Sequence, residues 1–144
     1  MSINIFYDEI GYRYIGWRRL RKILVEIILH SGFIPGDINV VITDDTRLLK
    51  INVEFLEHDY NTDVITFNYN LDKNINGEIY ISLDTVKENS IKYGENLKSE
   101  ISRVIIHGVL HLTGLNDKSD EERIIMRMQE DYWLKILFEK DYGI

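Results

Sequence analysis

From Ile15 to Ser31 apolar residues recur every three or four positions, through Trp17, Leu20, Leu24, Ile27 and Ile28, and the run closes at Gly32. That period puts them on one face and predicts an amphipathic helix, with the neighbouring arginines mostly off the stripe. Before it, residues 2–8 alternate loosely around Ile3 and Ile5, as a strand does. After it, Pro35 and Gly36 mark a turn into a second strand over 37–43, where Ile38, Val40 and Ile42 alternate. Asp44 or Asp45 can then cap a short helix through Leu48, Leu49, Asn52 and Phe55.

The pattern then changes period. Val64 to Phe67 are strand formers after a polar stretch, and a loop at 71–77 leads into a second such run, so the two strands are expected to form a hairpin. Asp84 or Thr85 opens a helix ending near Gly94, and Asn96 can cap the next one. In that helix Ile101, Val104, Ile105, Val109 and Leu112 leave Glu100, Arg103, His107 and His111 as its polar stripe, which suits a cleft wall. Ser119 and Glu122 have capping-box spacing for a last helix from about Asp120 to Lys140, expected to pack through Ile124, Ile125, Met128, Tyr132 and Ile136. The order β, α, β, α, β, β, α, α, α predicts one α+β domain over residues 1–144. Its architecture is a mixed four-stranded sheet with helices packed on it and a central metal-bearing helix.

Composition narrows the chemistry. The chain has 144 residues, 44% of them apolar and 28% charged, which is enough for one core without staples. Without cysteine, a metal ion must be held by nitrogen and oxygen donors. No stretch approaches the length of a membrane span and no leader pattern opens the chain, so a cytoplasmic protein without a membrane partner is expected. The net charge of −7 argues against a protein that coats nucleic acid non-specifically. A local basic cluster exists, since Arg13, Arg18, Arg19, Arg21 and Lys22 fall within ten positions, and it is either a phosphate-facing patch or a solvated helix face.

Residues 107–117 read HGVLHLTGLND. His107 and His111 are one helical turn apart on one face and can grip a single ion, although two histidines in an apolar run can also be satisfied core residues. Gly114, placed where a helix can end in the left-handed conformation, and Asp117, placed to return as a third ligand, favour the metal reading. The spacing is that of the extended HExxHxxGxxH zinc motif, except that Gly108 stands where zinc peptidases place their general base. Peptide hydrolysis by that route is therefore disfavoured. Asp117 would make the ion a weaker Lewis acid than a third neutral imidazole.

Four segments, NVEF at 52–55, TDVITF at 62–67, GEIYIS at 77–82 and HGVLHLTGLND, together resemble the YbeY-type endoribonucleases, the bacterial rRNA maturation factors. The resemblance implies one zinc ion on His107, His111 and Asp117, and action on single-stranded RNA. It further implies a role in maturing the 3′ end of 16S rRNA and in ribosome quality control, with small-subunit ribosomal proteins and assembly GTPases as partners. Two positions depart from the family pattern. Asp117 stands where a third histidine is usual, and Leu56 stands where an arginine usually follows the aromatic.

A cation near the metal would stabilise the charge developing on a phosphate, and Arg103, one turn before His107, is the better candidate to replace that arginine, with His58 the other. A zinc ion on three protein ligands lowers the pKa of its water to about 7. The general base would be that activated water itself or a carboxylate of Asp63 or Glu78. Asp63 can instead be structural, hydrogen-bonded to a ligand histidine, with Thr62 capping the turn. Tyr60, Phe67 and Tyr69 are either stacking surfaces for bases or core. Two rival functions stay open, a metal-dependent hydrolase of another substrate and a non-catalytic, metal-stabilised ribosome assembly or RNA-binding factor.

Overall fold

A computed structural model describes residues 1–56 and 62–139. The elements follow the expected order: β1 Ser2–Tyr7, α1 Trp17–His30, β2 Ile34–Thr43, α2 Asp45–Leu56, β3 Val64–Asn68, β4 Asn74–Ser82, α3 Leu83–Tyr93, α4 Leu97–Leu112 and α5 Asp120–Phe138. The sheet order is β1-β2-β4-β3. β1 and β4 each pair in parallel with β2, and β3 closes the sheet as the antiparallel partner of β4, completing the expected hairpin.

Register puts Ile38 beside Gly77, Val40 beside Ile79 and Ile42 beside Ile81, so the alternate isoleucines and valines of β2 and β4 share one buried face. Helix α4 lies on that face and also contacts β3, α1, α3 and α5. Being enclosed on so many sides explains why ten of its residues are buried, Glu100 and Ser102 included. A methyl group added at Gly108 would lie 2.9 Å from Ile79 Cγ2. The missing glutamate of the peptidase motif is therefore a packing requirement, because the helix approaches β4 too closely for a side chain there.

Three local expectations are corrected. Pro35 and Gly36 do not form a separate turn; they lie inside β2, where the pairing register shifts between Pro35 and Ile38, a bulge that tolerates proline and glycine. Helix α3 is capped by Ser82, whose hydroxyl accepts from the Thr85 amide; the Asp84 carboxylate instead accepts from the Asp45 amide and braces α2. Helix α5 buries the face opposite to the expected one. Met126, Glu130, Trp133, Leu134 and Leu137 are buried, Ile136 partly so, while Ile124, Ile125, Met128 and Tyr132 are exposed. Both stripes have helical period, and docking against α4 and α1 selects the one carrying Glu130. Among the described residues no helix is long and apolar enough to cross a membrane.

Candidate metal centre

Helix α4 ends in a way that builds half the site. Leu115 N donates to Leu110 O at 3.1 Å and Gly114 N to His111 O at 3.0 Å, with Gly114 at φ 105°, a Schellman ending. This turn carries the Leu115 carbonyl back over the helix, where it lies 2.9 Å from His111 Nδ1. Two residues later Asp117 arrives above both rings. Its Oδ2 is 3.4 Å from His107 Nε2 and 3.4 Å from His111 Nε2. The backbone behind Asp117 is held by Arg123, whose Nη1 donates to the carbonyls of Asp117 and Lys118 at 3.3 and 2.9 Å.

His107 is held from elsewhere. Its Nδ1 lies 2.7 Å from Glu130 Oε2, a buried carboxylate on α5. Glu130 Oε1 in turn accepts from Arg103 Nη1 at 2.9 Å, and Arg103 Nη2 donates to Asp131 at 2.7 Å, with Nε 3.9 Å from Glu100. Burial pulls the His107 pKa down, but the hydrogen bond and charge of Glu130 outweigh it and the net direction is upward.

The donor set fits a divalent ion. With each Nδ1 facing an acceptor, the ring protons sit there and the Nε2 lone pairs are left to converge on Asp117. The separations of 3.4 Å also match the edge of a tetrahedron with bonds of about 2.0–2.1 Å, the geometry of zinc on nitrogen and oxygen. His107, His111 and Asp117 are thus the residues that can hold a metal, their donor atoms all within 4.8 Å of one another.

His107 and Asp117 line an open cleft of about 510 Å³ together with Asp63, Glu100, Arg103, Arg123, Arg127 and Glu130, with Asn89 and Tyr93 from α3 among its other walls. Asp63 enters it from the start of β3. Burial raises its pKa, and nearby His107 lowers it less. Its expected structural role as hydrogen-bond partner of a ligand histidine is not what the fold shows, because both Nδ1 atoms are taken by Glu130 and the Leu115 carbonyl. Thr62 does brace the turn, donating to Val64 O at 3.3 Å.

Other candidates are dispersed. Glu78 does not line the cleft: alternation in β4 sends it to the sheet face opposite Ile79 and α4, where it accepts from Tyr69 and Tyr80 at 3.0 and 3.1 Å in a small groove shared with Phe55 and Phe67. That removes Glu78 as a base at this centre. Of the basic cluster, Arg19 donates to the Ile136 and Glu139 carbonyls at the end of α5 and Arg13 to those of Ile10 and Tyr12, leaving Arg18, Arg21 and Lys22 as an exposed helix face away from the cleft. His58 and Tyr60 lie outside the described residues. Glu130, Arg123 and Arg127 escaped the sequence reading. The one available signal was a glutamate placed between apolar positions of α5, which periodicity alone treats as surface.

With this geometry in view, comparison with known proteins is informative. The family model described as Endoribonuclease YbeY matches residues 16–137. The chain is 45% identical over 140 residues to the endoribonuclease YbeY of Parabacteroides distasonis, covering 97% of this chain and 99% of that one. It is 42% identical over 127 residues to that of Flavobacterium psychrophilum, covering 88% and 86%. The solution structure of TM1509 from Thermotoga maritima superposes with a TM-score of 0.65 at 25% identity and 99% coverage of both chains. The chain belongs to the endoribonuclease YbeY family.

Proposed function

We propose that this protein is a single-zinc endoribonuclease that cuts single-stranded RNA in the cytoplasm, during maturation of the 16S rRNA 3′ end and ribosome quality control. The observation that carries the reading is the triad itself: two Nε2 atoms converging on one carboxylate oxygen, with His107 and Asp117 lining an open cleft that has three arginines among its walls. Family membership supports RNA as the substrate and, more remotely, small-subunit ribosomal proteins and assembly GTPases as partners. The ion, when bound on His107, His111 and Asp117, supplies Lewis acidity and an activated water at neutral pH.

The chain's own groups take the remaining roles. Asp63, desolvated and with a raised pKa at the cleft wall, accepts the proton of the attacking water. Arg103 is a positioning residue, since its guanidinium already holds Glu130, which holds the His107 ring. Charge on the scissile phosphate is met by Arg127, exposed at the cleft rim and only 3.9 Å from Glu130 as its nearest ion pair. Exposed Tyr93 offers a face on which an unpaired base can stack.

The test is cleavage of a single-stranded RNA by zinc-reconstituted protein beside Asp63→Asn, Arg127→Ala and His111→Ala. Loss of cleavage in all three, with zinc retained in the first two, is expected. A metal-loaded parent that binds but never cuts would move the protein to the second reading, a non-catalytic assembly factor. Leu56 favours that reading, because it stands exposed at the end of α2 where the family usually has an arginine. Leu56→Arg would then create activity that the parent lacks.

A further inference from the structure

Helix α5 is apolar on two sides. The inner stripe is packed on α4 and α1, and the outer one, turned away by roughly half the helix circumference, leaves Ile124 60%, Ile125 53%, Met128 64% and Tyr132 56% exposed. Four large apolar side chains aligned over about two turns exceed the scattered exposed residues of an ordinary surface. The cleft lies on a different side, since Arg127, which lines it, is rotated about 100° from Met128. The outer stripe can therefore be covered without closing the cleft.

We propose that the outer stripe pairs with the same stripe of a second copy of this chain, the two α5 helices running antiparallel about a two-fold axis at Met128. In that arrangement residues equally far before and after Met128 meet. Four before is Ile124 and four after is Tyr132, so apolar meets apolar beside the self-paired Met128. Seven before is Glu121 and seven after is Lys135, both exposed, so opposite charges meet at each end, about 10 Å from the axis. A parallel pairing would set Glu121 on Glu121 and Lys135 on Lys135. Three before is Ile125 and three after is Asp131, which lies on the flank and is already paired with Arg103. A two-fold interface requires this self-complementarity, and charges at its rim set register and orientation more than affinity. A seam of one helix per subunit falls below about 1,200 Å² in total, the range of weak, concentration-dependent association.

Sedimentation velocity on the full chain from about 1 μM to about 1 mM should show a reversible monomer–dimer equilibrium. Met128→Glu should remain monomeric. Glu121→Lys and Lys135→Glu should each weaken association about tenfold, and the double variant should restore it. Because the chain has no cysteine, Met128→Cys gives an independent readout: it should oxidise to a covalent dimer much faster than Gln129→Cys, which is exposed but rotated off the stripe. A chain that stays monomeric throughout, a dimer indifferent to these substitutions, charge variants that the double does not rescue, or equal oxidation of the two cysteines would each overturn the proposal.

Discussion

His107 and His111 occupy the same face of the same helix, yet they are oriented by different means. His111 is aimed by the Leu115 carbonyl four residues away, which the Schellman turn at the end of its own helix delivers. His107 is aimed by Glu130, twenty-three residues downstream on another helix, and Glu130 is itself held by Arg103. One ligand is set by local backbone geometry and the other by the docking of α5. The two rings therefore depend on different parts of the fold, one on the end of α4 and the other on the packing of α5.

The sharpest way to break the comparison is to remove a ring. His107→Ala and His111→Ala should each abolish stoichiometric zinc, read by elemental analysis of purified protein, because two remaining donors do not make a site. Retained zinc in either variant would remove that histidine from the ligand set. The asymmetry itself is tested one shell out. Glu130→Gln should weaken zinc binding about 10–100-fold, whereas Leu115→Ala, which keeps the carbonyl, should change it less than about twofold in a competition titration. Equal effects would mean that both rings are held locally.

Arg103→Met probes the same long-range arm through stability. It strands the buried Glu130 carboxylate and should cost about 2–3 kcal/mol in urea unfolding, below the full range for a broken buried pair because His107 and Arg127 remain beside the charge. Gly108→Ala should cost about 1 kcal/mol net, since overpacking against Ile79 outweighs the gain in helix propensity, and Ile79→Val should recover part of it. Full additivity in that pair would deny the contact.

The mildest test is pH. The His107 pKa is raised on folding, so its contribution to stability is present below the unfolded value of about 6.5 and is lost as pH rises through the folded value. Chelator-treated protein should therefore lose Tm as pH rises above about 6.5 and through the higher folded-state value. Glu130→Gln should flatten that slope if the carboxylate causes the shift, and an unchanged slope would assign it elsewhere.

Much of this was legible without coordinates. Element order, the caps at Asn96 and Ser119, the Gly114 ending and the His107, His111 and Asp117 triad all rest on spacings within one helix and its flanking turn, where backbone geometry converts sequence distance into space. What depends on one element meeting another was not. Alternation in β4 separates Glu78 from Ile79, but only the placement of α4 on the Ile79 face decides that Glu78 is remote from the metal. The arginine pointed at the cleft by its place on α4 was expected to face substrate; its donors go to Glu130 and Asp131 because α5 docks there.

Helix α5 shows the limit most plainly. It carries two stripes of helical period, and the more hydrophobic one, Ile124, Ile125, Met128 and Tyr132, was the natural choice for the core. The sequence by itself determined that α5 is a helix with a capping box, and that two histidines and an aspartate fall where they can hold a metal ion. Only the tertiary structure decided which stripe is inside. It buried the one carrying Met126, Trp133, Leu134 and Leu137 against α4 and α1. The Glu130 carboxylate on that stripe is tolerated there because Arg103 and His107 pair with it, partners that periodicity along a single helix does not reveal.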